Sequence, residues 1–137
     1  MTAFPLTVEI LNKDICFIGH KNALKQYLTV EDNLLLLEIE SHNSLKSFLK
    51  LLGLEKLLDV MVANLSYGQQ KKLALLRLFL NDSDLLVLDE PCVGLDKKSQ
   101  NILCSFLSDE LIAKKALIFS SHISLDISSE FLQLDKA

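Results

Sequence analysis

The run Leu85-Leu86-Val87-Leu88 is apolar at every position and stops abruptly at Asp89-Glu90-Pro91. A strand with one wet face alternates apolar and polar residues, so a wholly apolar strand implies a parallel sheet covered on both faces. Ile15-Cys16-Phe17-Ile18, closed by Gly19, and Ala116-Leu117-Ile118-Phe119-Ser120 follow the same pattern, and helical stretches separate the three. The fold class expected is α/β, with a parallel sheet and helices on it. A last short strand is predicted at 131–134. The four glycines, Gly19, Gly53, Gly68 and Gly94, include none in a Gly-x-x-x-x-Gly-Lys-Ser/Thr phosphate loop.

Between the first two strands the pattern is helical. A loop runs from His20 to about Leu28. Thr29 followed by Asp32 predicts an N-cap with an acidic first turn and a helix through Ile39. Ser44 opens a second helix whose Leu45, Phe48, Leu49 and Leu52 share one face, stopped by Gly53 as a left-handed cap. Residues 54–60 read as a short third helix. Ser66 heads a longer one with Leu73, Leu76, Arg77 and Leu80 on successive turns, and 97–109 is a further helix. The chain therefore divides into a strand and loop (1–28), a helical subdomain (29–80) and a strand–helix half-core (81–137) within a single domain.

Composition narrows the function classes. The net charge is −4, and basic residues cluster no further than the pairs Lys71-Lys72, Lys97-Lys98 and Lys114-Lys115, so nucleic acid is not an expected partner. Three cysteines, Cys16, Cys92 and Cys104, without a Cys-x-x-Cys spacing argue against a disulfide framework and a zinc site. They read as space-filling residues of a reducing compartment. No apolar run approaches the roughly 20 residues that span a bilayer, and residues 1–10 have no basic segment ahead of their apolar residues. Membrane association is expected through a partner and not by direct insertion.

A few residues carry chemistry. Asp89 at the end of a buried strand is placed to hold a nucleotide-bound Mg²⁺, which favours oxygen ligands. Glu90, one residue on, is placed to orient or deprotonate an attacking water. Taken alone, Asp-Glu-Pro is equally a helix-starting turn. Ser66-Tyr67-Gly68 at a helix start offers unpaired N–H groups, a hydroxyl and the positive end of the dipole, an anion site; Ser66 with Gln69 is equally a plain capping box. His122 would emerge near the carboxyl edge of the sheet, where it reaches a γ-phosphate or is an ordinary surface histidine. Gly94-Leu95-Asp96 reads as a turn and helix cap. His20 is a loop residue, His42 a solvent-facing one, and Lys71 and Lys72 a solvated helix face.

In their order along the chain these residues resemble the ATP-binding subunit of an ABC transporter. The family's Leu-Ser-x-Gly-Gln signature is matched by Leu65, Ser66, Tyr67, Gly68 and Gln69. Its Walker B strand is matched by Leu85–Asp89 with Glu90 as catalytic carboxylate, its D-loop by Gly94-Leu95-Asp96 and its switch histidine by His122. A narrower likeness lies in Ile18-Gly19-His20, in Leu28-Thr29-Val30-Glu31-Asp32-Asn33-Leu34, in Gln69-Gln70 before two basic residues and in Ser120-Ser121-His122 near the end. These resemble the haem-exporter ATP-binding subunit of cytochrome c maturation. The resemblance implies ATP and Mg²⁺ as cofactors, ATP hydrolysis coupled to haem export, a second ATPase subunit and integral-membrane partner subunits. It also implies a peripheral position on the cytoplasmic face of the bacterial inner membrane or the matrix face of the mitochondrial one.

Two departures shape the expectation. Lys21, beside His20, stands about where the family's Q-loop has glutamine. The Walker A part of the family has no counterpart in this sequence, so a fragment bearing it is expected from elsewhere, and the chain by itself is expected to be inactive. Its sheet would then show an unpaired edge and an uncovered apolar face. The alternative is a non-catalytic remnant or a docking module for a membrane partner.

Overall fold

Parallel strands β1 (Ile15–Ile18), β2 (Leu85–Asp89) and β3 (Ala116–Ser120) form one sheet in that order, with β2 in the centre. The computed structural model describes residues 15–113, 116–123, 125 and 127; the strand predicted at 131–134 lies outside them. Register places Cys16, Leu86 and Leu117 in one row and Ile18, Leu88 and Phe119 in the next. These rows face the core, and Cys16, Ile18, Leu86 and Leu88 are buried. On the opposite face Phe17 remains 57% and Ile118 60% exposed. Among the described residues, the helices thus cover one face of the sheet and leave an apolar strip on the other.

Helix α1 (Val30–Leu36) starts as its cap predicts, with Asp32 N–H donating to Thr29 Oγ1 at 3.1 Å. It ends short of Ile39 because Glu38 takes a left-handed conformation, φ +57°. Asn33 is buried on this helix. Its amide donates to Lys25 O (3.1 Å) and Thr29 O (2.9 Å), and its carbonyl accepts from Lys25 N–H (2.9 Å). One side chain thereby holds the loop after β1 against the helical segment.

Helix α2 (Leu45–Leu51) buries Leu45 and Leu49 and closes at Gly53, φ +73°. Residues 54–60 are not the short helix expected but two successive turns, Leu57 N–H to Leu54 O and Val60 N–H to Leu57 O, each 3.0 Å. The reason is competition for carbonyls. Leu58 O and Val60 O accept from Glu31 N–H and Val30 N–H, both at 2.9 Å, and so satisfy the orphan amides that begin α1. A single 3₁₀ turn (Val62–Asn64) follows.

Helix α3 (Tyr67–Phe79) is the centre of the molecule. Leu73, Leu76 and Leu78 are fully buried, and Arg77 Nη2 donates to Phe17 O at 2.5 Å, tying the helix to β1. Phe79 stacks on Phe48 of α2 (centroids 5.0 Å) and meets Phe106 edge-on (4.8 Å), an offset and T-shaped pair that joins three helices. Phe106 belongs to α4 (Lys97–Ile112), which runs past the predicted end at 109 and buries Leu103 and Leu107. Cys16 and Cys92 are buried and Cys104 is half-buried. His42 is exposed, as expected.

Candidate functional site

The carboxyl ends of β2 and β3 bring Asp89, Glu90, Ser120 and His122 together. Ser120 Oγ donates to Asp89 Oδ1 at 2.7 Å and accepts from Glu90 N–H at 3.1 Å. Glu90 N–H is also directed at Ser120 O, 3.1 Å away. Glu90 adopts φ +47°, a left-handed conformation costly for a residue with a Cβ, and these bonds hold it there. The turn aims its carboxylate at His122, whose Nε2 lies 2.6 Å from Glu90 Oε1. The two side chains share the rim of a pocket of about 250 Å³ that also includes Cys92, Gly94 and Ser121.

Ser66, Tyr67, Gly68 and Gln69 form a second group at the start of α3. Ser66 completes both halves of a capping box: Gln69 N–H donates to Ser66 Oγ (3.1 Å) and Ser66 N–H to Gln69 Oε1 (2.9 Å). A hydroxyl that accepts from the helix still has its proton to donate, so capping and anion binding are compatible here. His20 and Lys21 are exposed and line a cleft of about 530 Å³ with Tyr67 and Gln70, on the signature side and not beside Glu90. Gln70 Nε2 donates to Val62 O at 3.0 Å and fixes the turn that leads into the signature.

Asp96 joins the two groups. Its Oδ1 accepts from Ser99 N–H at 2.8 Å, capping α4, and its Oδ2 lies 3.2 Å from Lys72 Nζ. The Ser99 amide, then the Ser99 hydroxyl and Lys72, lower its carboxyl from 3.8 to about 2. A carboxylate depressed in the folded state contributes stability above its ordinary pKa, lost as pH falls through the folded one. Between pH 4 and pH 2 the urea midpoint is therefore expected to fall less steeply for Asp96→Asn than for the wild type, since asparagine retains the cap and removes the titration.

Lys71 overturns the expectation of a solvated lysine pair. It is only 1% exposed, and burial lowers its pKa while Asp89, Cys92 and Glu90 oppose that shift. Burial likewise raises the Cys92 thiol to about 11, with Cys104 adding to the rise and Lys71 and Lys97 opposing it. Lys72 is the partly exposed member, engaged with Asp96. The helical period contained the signal, because residue 71 lies on the same stripe as the buried Leu75 and Leu78. Ser120 was also missed as a site residue; its signal is a hydroxyl at the last position of an apolar strand paired in register with Asp89.

Asp89 fits a magnesium ion that arrives with a nucleotide. One carboxylate oxygen is engaged by Ser120, and among the described residues no three His, Cys, Asp or Glu side chains gather as a metal cage. Magnesium on a phosphate chain needs only one or two carboxylates, the other ligands being phosphate and water.

Comparison with known proteins places the chain in a family. The family profile described as ABC transporter matches residues 3–93. The cytochrome c biogenesis ATP-binding export protein CcmA of Legionella pneumophila (strain Lens) is 32% identical over 121 residues, covering 85% of this chain and 59% of the relative. That of Gluconobacter oxydans (strain 621H) is 36% identical over 116 residues, with 85% and 55% covered. The chain thus spans less than two thirds of these relatives' length. Among solved structures, an ATP-binding subunit of an ABC transporter superimposes with a TM-score of 0.69 at 28% identity, covering 81% of this chain and 49% of that one. The dimeric ATP-binding cassette MJ0796 in a post-hydrolysis state bound to ADP and Pi gives 0.67 at 23% identity, covering 87% and 58%, and supports the fold. With the profile matched over residues 3–93 and relatives at 32% and 36% identity over 85% of this chain, the chain belongs to the ABC transporter family.

Proposed function

We propose that the chain is the ATP-binding and hydrolysing part of an ABC-type haem exporter acting in cytochrome c biogenesis. The observation that carries this reading is the Glu90–His122 contact of 2.6 Å at the carboxyl end of β2, with Asp89 held one residue away by Ser120. Glu90 is the general base toward water, and His122 holds the Glu90 carboxylate and the γ-phosphate in line. Asp89 carries the Mg²⁺, which when bound neutralises charge on the phosphates. Ser66, Tyr67, Gly68 and Gln69 face the nucleotide of a second cassette in trans, and Asp96 belongs to the turn between the two sites. The phosphate loop comes from a segment outside these 137 residues. The exposed strip around Phe17 and Ile118 supports this, since a parallel sheet is ordinarily covered on both faces.

Export requires integral-membrane partner subunits, and the chain is peripheral to them at the inner membrane. Among the described residues no helix is long and apolar enough to cross a membrane. A fluorescent ATP analogue with Mg²⁺ tests the reading. Binding is expected only when a segment carrying the family-type phosphate loop is added to the chain. Failure to bind in the mixture would favour the second reading, a non-catalytic docking module, for which the absence of a Gly-x-x-x-x-Gly-Lys-Ser/Thr sequence in these residues is the supporting observation.

A further inference from the structure

Tyr67 and Gly68, the first two residues of α3, press on a single residue of the turn that leaves the catalytic carboxylate. A methyl group added to Gly94 would run into Cδ1 and Cε1 of the Tyr67 ring, and one added to Gly68 would lie 2.8 Å from Gly94 O. Glycine at both positions permits the approach, and Gly94 also requires it for its φ of +81°. One turn further along α3, Lys72 reaches Asp96 at 3.2 Å. The start of α3 therefore grips residues 94–96 through a ring on a backbone, a backbone contact and an ion pair.

The gripped turn is itself stiff. Val93 N–H donates to Glu90 O (3.3 Å), Leu95 N–H to Cys92 O (3.1 Å), and Gln100 Nε2 to Leu95 O (3.1 Å), with Cys92 and Leu95 buried. At its other end stands Glu90, anchored to β3 through Ser120 and kept at φ +47°. A displacement of α3 has little slack to be absorbed before it reaches Glu90.

We propose that Tyr67 is a positioning residue for Glu90: its ring, seated on Gly94, makes the start of α3 and the turn from Glu90 to Asp96 one mechanical unit. This rests on the functional reading above and adds a link to it. The segment facing one nucleotide in trans would set the geometry of the carboxylate serving the other. The atoms nearest Gly94 are the ring carbons Cδ1, Cε1 and Cγ, and the ring remains half exposed.

Residue-resolved amide exchange on the full chain tests the link without nucleotide. Tyr67→Ala is expected to speed exchange at Glu90, Val93 and Leu95 by about tenfold or more while leaving Leu54, whose N–H is bonded to Leu49 O at the end of α2, unchanged. Tyr67→Phe is expected to restore wild-type rates. Exchange at Glu90 and Val93 within about twofold of wild type in Tyr67→Ala would overturn the proposal. Should all amides accelerate together, Gly94→Ala decides, compared in the wild-type and Tyr67→Ala backgrounds. The backbone strain at position 94 is common to both and cancels in the cycle. A larger drop in urea midpoint when Tyr67 is present supports the contact, and equal drops overturn it. Failure of the nucleotide-binding test would remove the functional reading and leave these readouts to judge the link.

Discussion

ATP turnover by the completed cassette is expected to fall about 10²–10⁴-fold when Glu90 is replaced by glutamine, with nucleotide binding retained. Glutamine keeps the shape of the side chain and removes its capacity to accept a proton from water. The backbone at position 90 is held by Ser120 through its main-chain N–H, which the substitution does not touch. The contact with His122 also survives, because the glutamine carbonyl still accepts from an imidazole N–H. The expected variant is an enzyme that closes on ATP and does not turn it over. The check is a paired measurement of the nucleotide dissociation constant and of phosphate release. Loss of both together would mean that Glu90 shapes the site and is not its base.

Leu76→Ala is expected to cost about 2–5 kcal/mol, the range for truncating a buried leucine whose cavity relaxes only in part. Leu76 is fully buried between Leu73 and Phe79 on α3, the helix that packs against β1 and connects α2 to α4. Against a typical domain stability of about 5–15 kcal/mol the loss is severe. Urea unfolding followed by far-UV circular dichroism would show a lower midpoint at an unchanged slope. Leu36→Ala on α1, where the side chain is 58% exposed, is the control and should move the midpoint little. Equal effects at the two positions would contradict the central place given to α3.

The elements with a local cause were legible in the sequence. The Thr29 and Ser66 caps, the Gly53 stop and the three apolar strands depend on residues within one turn or one run, and the structure has them where the pattern placed them. Residues 54–60 were misread because their carbonyls serve α1, a demand invisible from their own periodicity. Lys71 was misread for a similar reason. A lysine pair on a helix usually means water, and only the packing of α3 in the core decides that Lys71 goes inward and Lys72 to Asp96. In the site, the order of motifs identified Asp89, Glu90 and His122 as candidates, and the structure adds their contacts. That the ring of Tyr67 sits on Gly94, or that Ser120 bridges Asp89 and Glu90, depends on a fold that no linear spacing encodes.

The parallel pairing of β1 with β2 also has a consequence for how the chain is made. On the ribosome β1 emerges before its central partner, which follows only after the whole of α1, α2 and α3. During that interval the edge of β1 that will meet β2 waits for its partner, a situation that slows folding and invites misassembly. Arg77, which bonds to Phe17 O in the finished fold, lies on α3 and is therefore synthesised before β2. The order of the elements thus puts the helix contact to β1 earlier in the chain than the sheet partner of β1.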